Sequence, residues 1–193
     1  PALAALAVFA QVLRAMFVLL ALLALFWPSA RRLLVGLRDM LGANNLWLAF
    51  AVAAIATAGS LFFSEVSHFI PCRLCWFQRI CMYPLAAILL VGILLKDHRA
   101  RWYAAPFVVV GAPLSLYHFL MERGVFSESS SCAATVPCAV PWFTELGYIT
   151  LAFMAMSGFL LIGTLLVVDA VWDRRVAADP VAESGLSPDG ARG

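Results

Sequence analysis

Long apolar runs separated by short polar stretches organise the chain, at residues 46–63, 76–95, 102–121 and 147–168. About 20 apolar residues are enough to cross a bilayer as a helix. These runs are apolar on all sides rather than along one stripe, which suits lipid or bundle interior and not the surface of a soluble domain. Backbone groups in lipid must be satisfied within their own segment, so each run is expected to be a helix, and Gly111 and Pro113 are tolerable inside the third. The polar interruptions are Ser64 to His68, Lys96 to Arg101, and a Ser-rich loop at 122–146.

The flanks read differently. Residues 1–27 are apolar except for Gln11 and Arg14 and are long enough to span, although an arginine at mid-membrane costs about 2.5 to 3.5 kcal/mol on insertion scales. A secretory signal would carry its basic residues ahead of the apolar core, and none stand there. After Pro28, Leu33, Leu34, Leu37, Met40 and Leu41 share one helical stripe opposite Arg31, Arg32, Arg38 and Asp39, the pattern of an amphipathic helix lying on a membrane surface. Residues 169–193 are charged and rich in Ala, Pro and Gly, and are expected to be disordered. The expected fold is all-α and integral to the membrane. A four-helix transmembrane core at 46–168 follows an added N-terminal hydrophobic helix at 1–27 and an amphipathic segment at 28–45, with a cytoplasmic tail at 169–193.

Composition narrows the function classes. Hydrophobic residues make up 64% and charged residues 12% of the 193, too apolar for a soluble domain of this length. The net charge of +2 is small and the basic residues sit in short clusters between runs, so they mark topology and do not imply nucleic acid. Arg31, Arg32, Arg38, Lys96, Arg99, Arg101, Arg174 and Arg175 fall on one side of the membrane, and only Arg73, Arg79 and Arg123 on the other. The first side is therefore expected to be cytoplasmic. Cys72, Cys75, Cys132 and Cys138 then face the extracytoplasmic compartment, where disulfides persist.

Candidate chemistry concentrates at 71–84, PCRLCWFQRICMYP. If the run after Leu74 is helical, Cys75 lies in its first turn, where the positive end of the helix dipole favours a thiolate. Arg79 stands four residues on, one turn deeper on the same face. A thiolate, a cation and an apolar slot at a membrane boundary suit the passage of two electrons from sulfur to a lipid-soluble acceptor. A haem attachment would need His after the second cysteine, where Trp76 stands. A four-cysteine zinc site is disfavoured by the five residues between Cys132 and Cys138, and no metal is expected. A membrane scaffold or thiol/metal sensor with structural cysteines stays open as the rival, and a reductase running electrons inward ranks last because no NAD or flavin motif is present. Cys81 reads as a small buried hydrophobe. Trp76, Phe77, Tyr83 and Trp142 read as interface anchors and packing, and His68 and Glu65 share the compartment with little expected of them.

The 71–84 string resembles the disulfide bond formation protein B (DsbB) family, and within it the BdbC-like branch. The likeness continues through Tyr117-His118, Pro137-Cys138 and Gly147-Tyr148-Ile149-Thr150, and covers roughly residues 46–168. The loop cysteines follow the Cys-x-x-Cys, the order of this family and not of the vitamin K epoxide reductase relatives. The resemblance implies a relay. A reduced thioredoxin-like partner of DsbA or BdbD type attacks a Cys132–Cys138 disulfide, with Cys132 the mixed-disulfide partner. Exchange then reaches Cys72 and leaves Cys75 as the thiolate facing a ubiquinone or menaquinone in a bacterial cytoplasmic (inner) membrane. It also implies that Arg79 stabilises charge on Cys75 and on the quinone oxygen, and that His118 lies near the quinone head group. The short Ala-Ala-Thr-Val-Pro linker limits the reach of Cys138, so the Cys138-to-Cys72 step is the least secure.

Overall fold

In the computed structural model, residue 36 and residues 44–97, 99–127, 132 and 136–178 are described, with side chains as far as 170. The segments expected as an N-terminal helix at 1–27 and as a surface helix ending before 45 lie outside the described residues, apart from Gly36.

The described helices are α1 (Asn45–Leu61), α2 (Arg73–Leu94), α3 (Ala100–Glu122) and α4 (Leu151–Ala178), and a π-helical turn (Phe62–Val66) extends α1. Among the described residues, four stretches are long and apolar enough to cross a membrane: Asn45–Val66, Arg73–Leu94, Ala100–Glu122 and Leu151–Ala170. Each helix packs mainly against its two neighbours in the order α1, α2, α3, α4 and back to α1, while α2 and α4 barely touch across the middle. That is a four-helix membrane bundle, as the hydropathy pattern implies.

Small side chains let the helices approach, as expected where lipid removes the hydrophobic drive between them. Ala49, Ala53 and Ala104 are fully buried, and Leu85, Leu89, Phe159 and Ile162 fill the space around them. Phe159 lies directly over Gly111, whose missing Cβ leaves room for the ring. Ser115, Ser157 and Thr164 turn their hydroxyls back onto the carbonyls of Gly111, Phe153 and Leu160, which satisfies these polar groups inside the bundle. Ile55, Val91, Val109, Val110 and Val167 face outward, as lipid contact requires.

The turns bring the chemistry to one end. α2 stops at Leu95, with Lys96 in the left-handed region and Asp97 N–H bonding back to Gly92 O, and the Asp97 carboxylate accepts from Arg99 N–H to start α3. α3 ends the same way at Gly124, with Val125 N–H on Leu120 O. So short a reversal makes α2 and α3 antiparallel, and the start of α2 lies beside the end of α3. Three of the boundary differences from the hydropathy reading have a cause visible in the structure. α2 begins at Arg73 rather than Trp76, because Cys72 caps it. α4 begins at Leu151 rather than Gly147, because Leu146 and Gly147 adopt positive φ and Glu145 and Ile149 close a tight turn. α4 also runs on to Ala178, with Asp169 buried and paired to Arg101 at 3.0 Å, so the tail does not begin at Asp169.

Candidate active site

The start of α2 is built around Cys72. Its backbone is extended and its sulfur accepts the Cys75 N–H at 3.3 Å, so this cysteine is the N-cap of the helix. The two sulfurs are 2.6 Å apart and both cysteines are free thiols. The Cys72 thiol is lowered to about 4, chiefly by the hydrogen bond from Cys75, then by the His118 ring, with burial opposing. The thiolate-stabilising contacts of this reduced pair therefore converge on Cys72, one turn earlier than the expected Cys75, because the N-cap and not the first turn meets the unsatisfied N–H.

His118, on α3, is 2% exposed and joins three elements. Its Nε2 lies 3.1 Å from the Cys138 carbonyl oxygen and 3.7 Å from Cys72 Sγ, and its Nδ1 lies 3.0 Å from Gln78 Nε2. A carbonyl can only accept, so Nε2 carries the hydrogen and Nδ1 accepts from the Gln78 amide. The network thus sets one tautomer, with its N–H aimed between the two cysteine pairs.

Cys132 and Cys138 are joined by a disulfide, with Cα atoms 5.9 Å apart. Cys138 is 1% exposed and packs in one apolar cluster with Cys72, Leu74 and Met121, while Cys132 lies nearer the surface. A small pocket is lined by Cys72, Cys75, His118, Glu122, Cys138 and Trp142 among others. Glu122 is the residue that sequence reasoning assigned only to a loop. Its side chain is 4% exposed, its Oε2 accepts the Thr150 hydroxyl at 2.5 Å, and its Oε1 lies 3.9 Å from His118 Nε2.

A family model for disulfide bond formation protein DsbB matches residues 43–169 of this chain. The chain belongs to the DsbB family. It is 42% identical over 118 residues to disulfide bond formation protein C of Bacillus subtilis, covering 61% of this chain and 86% of that protein. It is 40% identical over 118 residues to a probable disulfide formation protein C 1 of Bacillus anthracis, covering 61% and 85%. It is also 39% identical over 132 residues to a probable disulfide formation protein of Deinococcus radiodurans, covering 64% and 86%. No solved structure matches. Membership makes the chain a multi-pass, disulfide-forming membrane oxidoreductase.

Within this DsbB-family bundle, the cysteine pairs and His118 come together, whereas Arg79 turns toward α1. Its Nε and one terminal nitrogen donate to Ser60 Oγ and Ser60 O, both at 3.0 Å, and its guanidinium lies 5.3 Å from the Trp76 ring centre. Tyr83 donates to the same Ser60 hydroxyl. Cys81 is buried in the main apolar core. His68 and Glu65 are exposed and do not line the pocket, and Trp142 stacks on Phe69 at 5.0 Å, which fastens the loop after Cys138 to the end of α1. Sequence reasoning passed over Gln78, Glu122, Thr150 and Ser60. Gln78 and Thr150 stood in the matched strings without a role, and Glu122 and Ser60 carried no local signal. Cys72 Sγ, Cys75 Sγ and a His118 ring nitrogen lie within 4.8 Å of one another, so these three could also hold a metal ion.

Proposed function

We propose that this chain is a thiol:quinone oxidoreductase of the bacterial cytoplasmic membrane that reoxidises an extracytoplasmic thioredoxin-like disulfide donor. The carrying observation is that Cys138 and Cys72, from opposite cysteine pairs, are buried in one cluster, with the Cys138 carbonyl and the Cys72 sulfur meeting the same nitrogen of His118. Their shared packing supports a direct Cys138-to-Cys72 step despite the short loop.

The partner's thiolate attacks Cys132, the more exposed sulfur of the loop disulfide, and the partner leaves as a disulfide with Cys132 and Cys138 reduced. Cys138 attacks Cys72 of a Cys72–Cys75 disulfide, and the electron pair of the broken bond goes to Cys75. Cys132 then attacks Cys138, re-forming the loop disulfide and releasing Cys72. The state with a closed loop disulfide and free Cys72 and Cys75 is the one in which electrons wait to leave. The N-cap contacts stabilise Cys72 as the released thiolate.

A bound quinone, ubiquinone or menaquinone, supplies a two-electron, two-proton acceptor. The residues around Cys75 fit such a group: Trp76, Phe77 and Ile80 are exposed on the outer face of α2. Arg79 commits two of its N–H donors to Ser60 and carries others that can meet an oxygen gaining negative charge. Both cysteine pairs sit at the bundle end opposite the Lys96 and Arg99 turn, which supports an extracytoplasmic site by the positive-inside rule.

The test is turnover of a reduced thioredoxin-like dithiol by purified protein with each quinone type, followed by quinone absorbance and thiol trapping. Wild type consumes quinone, Cys75→Ser does not, and Arg79→His raises the quinone KM. Turnover by Cys75→Ser at the wild-type rate sinks the proposal. The rival reading, a thiol/metal sensor or scaffold, draws on the Cys72, Cys75 and His118 donor set. It requires cysteine states that ignore both the reduced partner and quinone.

A further inference from the structure

We propose that Glu122 is the proton-relay group of the site, acting through His118 so that sulfur exchange between the two cysteine pairs proceeds without a change of charge in the buried pocket. The inference rests on the thiol:quinone reading and assigns a role to a side chain that the relay leaves unused.

An acid side chain this buried at a bundle end needs a reason, since a carboxyl group is costly to desolvate unless it is hydrogen-bonded or paired. Glu122 is held on one side only. Thr150 donates its hydroxyl hydrogen to Oε2, and its oxygen is occupied by Phe153 N–H at the start of α4, so its direction is set. Oε1 is left facing the pocket, 3.9 Å from His118 Nε2, a gap that a small side-chain rotation closes. The groups around Glu122 can be named element by element. α2 contributes Cys72 and Cys75, α3 contributes His118, and the loop contributes Cys138. Arg123, the adjacent cation, points away to the Gly147 carbonyl.

Exchange needs such a group. Cys138 attacks as a thiolate, and a thiolate beside a carboxylate in a low-dielectric pocket would place two negative charges together. The relay avoids this. His118 Nε2 passes its hydrogen to Glu122 Oε1 and takes the Cys138 thiol hydrogen, leaving one thiolate and one carboxylic acid. Cys138 bonds to Cys72, the Cys72–Cys75 bond breaks, and the electron pair leaves on Cys75. Cys75 then recovers a proton from Glu122 by the reverse path. The second half repeats the cycle, with Cys132 attacking Cys138 and Cys72 released. Two electrons move from the loop pair to the α2 pair, one proton ends on Cys75 and the other stays on Glu122 beside the Cys72 thiolate, and the pocket carries one negative charge throughout.

The test is single-turnover transfer without quinone. Oxidised full-length protein is mixed with a reduced thioredoxin-like dithiol, quenched in acid and alkylated, and the appearance of free Cys72 and Cys75 is followed across about pH 5 to 9. Glu122→Gln keeps an acceptor for Thr150 but carries no proton, and is expected to slow transfer about 100-fold and flatten its pH dependence. Glu122→Asp restores part of the rate. Thr150→Val, which keeps the carboxyl group but removes its donor, moves the acid limb to higher pH and decides the matter if the Gln variant does not fold. Transfer by Glu122→Gln within twofold of wild type with an unchanged profile, or an unmoved limb in Thr150→Val, overturns the relay alone. Absence of any transfer in wild type overturns the underlying function as well.

Discussion

Replacing Gln78 by Leu separates the tautomer of His118 from its position. Gln78 is 8% exposed, and its amide is the group that the structure sets against His118 Nδ1, at 3.0 Å. Leu has nearly the same volume and no donor, so Nδ1 becomes a buried acceptor without a partner, at a cost of about 1 to 3 kcal/mol. The ring can reduce that cost by moving its hydrogen to Nδ1, but Nε2 then faces the Cys138 carbonyl, 3.1 Å away, with no hydrogen to donate. Either way the arrangement with N–H aimed between the cysteine pairs loses about 1 to 3 kcal/mol. At about 1.4 kcal/mol per tenfold, that slows transfer between the pairs by roughly 5- to 150-fold. Gln78→Glu tests the same point with opposite sign, because a carboxylate at Nδ1 requires a hydrogen there. The assays are single-turnover thiol trapping and the nitrogen chemical shifts of His118, which distinguish the two tautomers. Transfer within twofold of wild type in Gln78→Leu, with Nδ1 still lacking a hydrogen in Gln78→Glu, would refute the reasoning.

Three further outcomes are expected. In the reduced protein Cys72 titrates far below the ordinary thiol value of 9.0, near 4, and Cys75→Ala moves it up by removing the largest cause; thiolate ultraviolet absorbance against pH measures both. Because the folded value lies below the unfolded one, this thiolate's contribution is lost as pH falls from about 9 toward 4, so reduced protein should resist denaturant better at about pH 8 than at about pH 5. Gly111→Ala would place its Cβ 2.4 to 2.8 Å from ring atoms of Phe159, an overpacking that costs about 1 to 3 kcal/mol in thermal unfolding and is partly relieved by Phe159→Leu. Arg101→Ala removes the partner of the Asp169 carboxylate, whose side chain is 5% exposed, and should cost about 3 to 5 kcal/mol, with the double replacement Arg101→Ala and Asp169→Asn costing less than the sum of the singles.

Much of the bundle was legible along the chain because hydropathy is a local property. Apolar runs of sufficient length have no soluble alternative, and Lys and Arg counts separate the two ends. The places of the cysteines at segment ends were legible too, and the structure gathers both pairs into one cluster. Helix ends were less so. Gly147 and Tyr148 look like the start of an apolar run, yet a positive-φ turn delays α4 to Leu151 and makes Thr150 its cap. Asp169 looks like the first residue of a polar tail, yet it pairs with Arg101, 68 residues earlier.

The site itself divides along the same line. Composition, run length and the Cys-x-x-Cys motif determined a membrane-spanning helical protein with cysteines at one end, because each depends only on residues near in sequence. The direction in which each helix turns its side chains depends on packing, such as Phe159 over Gly111, and no single segment contains it. Only the assembled bundle brings Gln78 to His118 across 40 residues, His118 to Cys72 across 46, and Thr150 to Glu122 across 28. It also turns Arg79 toward Ser60, which a helical count from Cys75 could not foresee. The cysteines were readable as letters, whereas the hydrogen-bond partners around them are neighbours that only folding supplies.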